Sequence, residues 1–135
     1  MLLAQRLTIA VVIVVLAACA SAPTPVSTPP QRPITSLGQL AGTWTATNPD
    51  GQPVRLVMQP SGSFEAAITT RTGTVTRKGQ ARLDGGEVKY DADLSTGTIT
   101  YHEEGQRQVF VLHGTMKPNT NTSYKTFDTM YTRVP

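Results

Sequence analysis

The chain of 135 residues predicts an all-β domain, a small antiparallel up-and-down β-barrel of about eight strands. Three observations lead there. From residue 43 onward Thr, Val and Tyr recur with period-two alternation, and Gly-containing turns interrupt them every eight to twelve residues. Successive hairpins, read from their turn residues, put apolar side chains on one common face. An open meander of this length would expose two unpaired edges, and closing it into a barrel removes both most simply.

The N-terminal part belongs to no barrel. Arg6 precedes an almost unbroken apolar run over 7–16 that ends in Leu16-Ala17-Ala18-Cys19. About 20 apolar residues are needed to span a bilayer. A charged start, a short apolar middle and a small-residue exit are the marks of a secretory signal, here over 1–18. The tetrapeptide resembles the lipobox of bacterial lipoproteins. That resemblance implies diacylglycerol on the Cys19 sulfur, cleavage just ahead of it, and acyl chains such as palmitate holding the mature chain to a membrane. Because Ala20 rather than Asp follows the cysteine, it also implies the periplasmic face of the outer membrane in a cell with two membranes. Cys19 is the only cysteine, so the domain must be stable without an internal disulfide.

From Ala20 to Pro33 five prolines alternate with Ser, Thr and Ala. So little bulky apolar surface cannot sustain a fold, and 19–33 reads as a disordered Pro-rich tether carrying the lipidated Cys. At about 3.1 Å per residue, a polyproline II tether reaches roughly 40 Å. The folded unit is then 34–135, about the size of one small domain with one core. Loss of Arg6 from the 12 basic residues leaves 11 against 9 acidic ones. The basic residues are scattered, so no nucleic-acid partner is implied.

Within 34–135 the elements follow in order. A short turn around Ser36 to Leu40 is the one helical candidate, and the strands fall at 43–47, 54–59, 63–69, 74–83, 87–94, 98–103, 106–116 and 123–134. Pro49-Asp50-Gly51 and Pro60-Ser61-Gly62 are three-residue loops ending in Gly. The first sets Trp44 against Leu56 and Ala46 against Val54. The second sets Met58 against Phe64, Leu56 against Ala66 and Val54 against Ile68, so both hairpins turn the same residues inward. Gly85-Gly86 pairs Leu83 with Val88, Ala81 with Tyr90, Gly79 with Ala92 and Arg77 with Leu94, while Lys78 meets Asp93 outside. Thr96-Gly97 pairs Leu94 with Ile99 and Ala92 with Tyr101. Glu104-Gly105 pairs Ile99 with Phe110, Tyr101 with Gln108 and His102 with Arg107.

Gly42-Thr43-Trp44 on the first strand, after a short turn containing Leu37 and Leu40, is similar to the Gly-x-Trp signature of lipocalins, shared more loosely by avidins. In that superfamily an Arg on the last strand covers the Trp ring and closes one barrel end, and Arg133 stands at the matching place. The resemblance thus implies structural closure by Gly42, Trp44 and Arg133. A guanidinium over an indole is worth about 0.5 to 2 kcal/mol. The chain is much shorter than typical lipocalins and lacks their helix before the final strand, and the polar residues of the avidin biotin site have no counterparts here.

Chemistry-bearing candidates are few. His102 and His113 are expected on the outer face and too far apart to share a metal, so no metal and no cofactor are anticipated. No Ser/His/Asp grouping or phosphate-cradling loop is visible in the sequence, and the chain is not expected to be an enzyme. Parity sends Arg77 inward, where an unpaired charge is costly. Either a bulge or an open mouth accommodates it, or Arg77, Tyr90 and Tyr101 form the polar part of a small ligand-binding pocket, with Ala46, Ala66, Gly79, Ala81 and Ala92 leaving room inside. The expected function is therefore a lipid-anchored cell-envelope protein binding a small hydrophobic or amphipathic ligand. The alternatives are a structural envelope lipoprotein, or a module for an envelope protein partner. The last resembles small periplasmic metalloprotease inhibitors.

Overall fold

A computed structural model describes residues 27–135. The signal segment, Cys19 and the first part of the tether lie outside the described residues. Nine strands form one antiparallel sheet: β1 (Gln31–Arg32), β2 (Gly42–Thr47), β3 (Pro53–Met58), β4 (Ser63–Thr70), β5 (Gly73–Asp84), β6 (Glu87–Ala92), β7 (Ser95–Glu104), β8 (Arg107–Met116) and β9 (Thr126–Arg133). Strands β2 to β9 pair in sequence order, and β9 returns to β2, closing an eight-stranded up-and-down barrel. A 3-10 turn, Leu37–Leu40, sits beneath one end.

Local chemistry explains the early registers. Gly51 and Gly62 hold left-handed conformations, with φ of 79° and 90°, which only a residue without Cβ adopts freely. Around them Trp44 pairs with Leu56, Ala46 with Val54, Leu56 with Ala66 and Val54 with Ile68. The β4–β5 ladder then runs unbroken from Thr70↔Gly73 to Ser63↔Gln80. There is no bulge, so Arg77, opposite Ala66, stays on the inner face.

Two hairpins differ from the sequence expectation. Ile99 pairs with Val88 rather than Leu94, and Tyr90 with Gly97, because the chain turns at Asp93-Leu94 instead of Thr96-Gly97. The Asp93 carboxylate accepts the Lys78 N–H at 2.9 Å, and the Leu94 carbonyl accepts the Lys117 N–H at 2.8 Å. These bonds hold a tight loop without glycine. Gly97 serves packing instead, since a Cβ there would strike the His113 carbonyl. The Arg77–Leu94 pair is likewise absent from the β5–β6 ladder, which ends at Gly79↔Ala92.

At the next turn Glu104 pairs with Arg107 around Gly105, whose φ is 60°. Tyr101 therefore meets Phe110, and His102 meets Val109 rather than Arg107. Both shifts are by an even number of residues, so every side chain keeps its face. What changes is height along the barrel.

The interior is filled toward one end. Leu40, Trp44, Leu56, Met58 and Phe110 are almost wholly buried. The Trp44 ring meets Phe110 edge-on at 4.7 Å, and Phe110 stacks on Tyr131 at 4.6 Å. Arg133 lies over the Trp44 ring at 4.2 Å, and its Nη1 and Nη2 each donate at 2.6 Å, to the Ala41 and Gln39 carbonyls. Trp44 Nε1 donates to the Leu40 carbonyl at 2.9 Å. A Cβ at Gly42 would lie 2.6 Å from Arg133 Nη1, which is why glycine precedes the tryptophan by two residues. The 3-10 turn, Trp44 and Arg133 thus stopper this end.

The Pro-rich segment is attached to the wall from residue 27 rather than running free to residue 33. Arg107 Nη1 donates to the Ser27 carbonyl at 2.8 Å, the Glu103 N–H donates to the Pro30 carbonyl at 3.1 Å, and β1 pairs with Tyr101 and His102. Strand β7 outruns β6, leaving an edge at Tyr101–His102. A proline-containing segment fits such an edge because it need not donate at every position.

Candidate functional site

The barrel end opposite the stopper is open. Between Asn48-Pro49, Leu94 of the β6–β7 turn and Tyr124 of the β8–β9 connection lies a cavity of about 140 Å³. Its wall is apolar, with Val54, Leu56, Phe64, Ala66, Ile68, Leu112 and Phe127, and Met116 and Tyr124 stand at the side of the long β8–β9 connection. Gly79 and Gly114 let two of the wall's rings lie flat on the barrel, since a Cβ at Gly79 would strike the Phe64 ring, and one at Gly114 would strike Phe127 and crowd the Tyr90 hydroxyl. Larger depressions lie outside the barrel, such as that between Arg55, Val57, Glu65 and Lys78.

Polar groups enter this cavity from two levels. Tyr90, Ser95, Thr129 and Tyr131 are buried, and Tyr90 Oη and Ser95 Oγ share a hydrogen bond of 3.1 Å. Burial raises the Tyr90 phenol above its usual value, with the Ser95 bond partly opposing. Burial raises Tyr131 much further, and the neighbouring Tyr90 adds to it. Both phenols therefore stay protonated and can donate at neutral pH. Arg77, half-exposed on the inner face of β5, supplies a positive charge at the rim and forms no salt bridge among the described residues.

Of the three residues singled out for a pocket, the structure unites Arg77 and Tyr90 but not Tyr101. Tyr101 lies four residues beyond Gly97, the partner of Tyr90, which is about 13 Å along the strand. It belongs to the stoppered end, where its hydroxyl donates to Glu103 Oε2 at 3.0 Å. Burial raises this phenol most, then its bond to Glu103 and that carboxylate's charge, while Arg133 opposes. Sequence reasoning missed Ser95, Thr129 and Tyr131. The signal was available for the last two, because residues 129, 131 and 133 share one parity on the final strand and Arg133 is inward.

The two histidines also depart from expectation. His102 Nε2 and His113 Nε2 lie 2.9 and 3.1 Å from one atom, Thr100 Oγ1. His113 Nδ1 lies 2.7 Å from Asp128 Oδ1, and His102 Nδ1 lies 2.9 Å from the Pro29 carbonyl.

No protein-family model matches the chain, and neither do any curated protein or solved structure.

Proposed function

We propose that this is a lipid-anchored cell-envelope protein whose lipocalin-like barrel binds one small amphipathic ligand at its open mouth. The observation that carries this reading is the cavity itself, a largely apolar pocket with five hydroxyl-bearing side chains and one guanidinium, the mixture of apolar wall and few polar anchors typical of ligand sites. Its volume limits the ligand. Pockets for drug-sized molecules run from about 300 Å³ upward, whereas an engineered apolar cavity of about 150 Å³ takes benzene. The pocket thus accommodates about one ring or a short branched chain, and Arg77 favours an anionic head at the rim. The role is binding rather than catalysis, because protonated phenols and a guanidinium anchor a ligand without supplying a base at neutral pH.

The test uses simple probes. Benzoate should raise the melting temperature more than neutral benzyl alcohol does, and Arg77→Ala should abolish the difference. If neither probe stabilises the protein, the ligand reading fails and the structural or partner-binding role takes its place. That alternative is favoured by the densely filled stoppered half. Membrane attachment rests on Leu16-Ala17-Ala18-Cys19 and has its own test. Intact mass spectrometry of membrane-fraction protein should find a chain beginning at a diacylglyceryl Cys19, and Cys19→Ser should leave unprocessed precursor. A free Cys19 thiol in that fraction overturns the anchor and, with it, the outer-membrane location.

A further inference from the structure

We propose that His102, His113 and Thr100 form a site for one divalent transition-metal ion, with Cu²⁺ the preferred ion, on the outer wall of the barrel beside the Pro-rich segment. The chain contains only two histidines. Folding brings the Nε2 atoms of both to the same hydroxyl, across two strands and a diagonal of the ladder.

Hydrogen counting leaves this cluster one cation short while both imidazoles are neutral. The Pro29 carbonyl and the Asp128 carboxylate only accept, so both Nδ1 atoms carry the hydrogen. In the neutral imidazoles both Nε2 atoms are then bare lone pairs, and both face Thr100 Oγ1. A hydroxyl has one hydrogen to give. One lone pair is left facing another, and either a proton on one imidazole or a single metal cation held among the three atoms completes the cluster.

The surroundings suit a metal in that place. Histidines that ligate metals almost always donate their other ring N–H to a carboxylate or a backbone carbonyl, which fixes the ring and raises its basicity. Here one imidazole has each kind of partner. Neighbouring ligands at about 2.1 Å from a square or octahedral ion stand roughly 3.0 Å apart, close to the 2.9 and 3.1 Å separations of the two nitrogens from Oγ1. Among divalent first-row ions Cu²⁺ binds nitrogen and oxygen donors most strongly and prefers tetragonal geometry. The described residues contain no group of three or more His, Cys, Asp or Glu placed to hold a metal. This set is two imidazoles and a hydroxyl, leaving the remaining positions to water. It would also fasten the Pro-rich segment, because His102 holds the Pro29 carbonyl.

The experiment is calorimetric titration of the detergent-extracted full chain with Cu²⁺, with electron paramagnetic resonance of the loaded protein. One equivalent should bind, and the spectrum should carry hyperfine structure from two imidazole nitrogens. Asp128→Asn should weaken binding about 10- to 100-fold through the oriented His113, while Asp91→Asn, a surface carboxylate paired with Lys117, should change nothing. The His102→Ala/His113→Ala double variant should lose the site and keep its β circular dichroism. Absence of saturable binding, a spectrum with fewer than two imidazole nitrogens, or undiminished binding by the double variant overturns the proposal. The spectrum of the unaltered protein decides the matter even if a variant misfolds.

Discussion

Removing the guanidinium of Arg133 tests how the barrel is closed. The β2–β9 ladder is short, with Trp44↔Arg133 and Thr45↔Thr132 as its paired residues. Much of the seam must therefore be held by side chains. Arg133→Ala loses the stacking over Trp44, about 0.5 to 2 kcal/mol. It also loses two hydrogen bonds from a charged donor, each worth about 1.5 to 3 kcal/mol. Part of this is offset, because Arg133 Nε is buried without a partner and removing it recovers about 1 to 3 kcal/mol. The net loss is about 3 kcal/mol, and for a domain of this size each kcal/mol lowers the melting temperature by roughly 4 to 8 °C. Arg133→Lys should lose about half as much, since an ammonium reaches one carbonyl and carries no orphaned Nε. Denaturant titration followed by the fluorescence of Trp44, the only tryptophan, measures both. A change under about 0.5 kcal/mol in Arg133→Ala, below the weakest single contribution above, would refute closure by this contact.

Three further outcomes are expected. Gly79→Ala drives a methyl into the Phe64 ring and should cost about 1 to 3 kcal/mol, partly recovered by adding Phe64→Leu. Gly97→Ala should cost more, because the obstacle is the His113 carbonyl and backbone cannot rotate aside; chemical denaturation of both variants ranks them. Tyr90, Tyr101, Tyr124 and Tyr131 all have raised phenol pKa values, so their contribution to stability is fully present below the unfolded value of 10.0 and is lost as pH rises through the folded values. Unfolding free energies compared at pH 9 and 11.5 should show that loss, smallest in Tyr131→Phe.

The face of each side chain was legible in the sequence alone. Alternation has period two, so Trp44, Leu56, Ala66, Arg77, Tyr90 and Tyr101 could be assigned inward from their spacing and from the Gly-bearing loops. The local turns at Gly51, Gly62 and Gly85-Gly86 also supplied correct partners. Height along the barrel was not legible. Period two is blind to a slip by an even number of residues, so moving the β6–β7 turn to Asp93-Leu94 left every face intact yet took Tyr101 from the mouth to the stopper. Gly97 misled because a glycine marks both a turn and a close approach, and only the neighbouring strand distinguishes them. Tertiary structure alone decided that Arg77 reaches an open end, that Tyr131 and Thr129 join Tyr90 there, and that two histidines eleven residues apart meet at one hydroxyl. It also decided that residues 27–33 attach to the wall, since the edge they use exists only because β7 outruns β6. Local residue chemistry dictates which way a strand's side chains point, while the stagger of strands around a closed barrel dictates which of them meet.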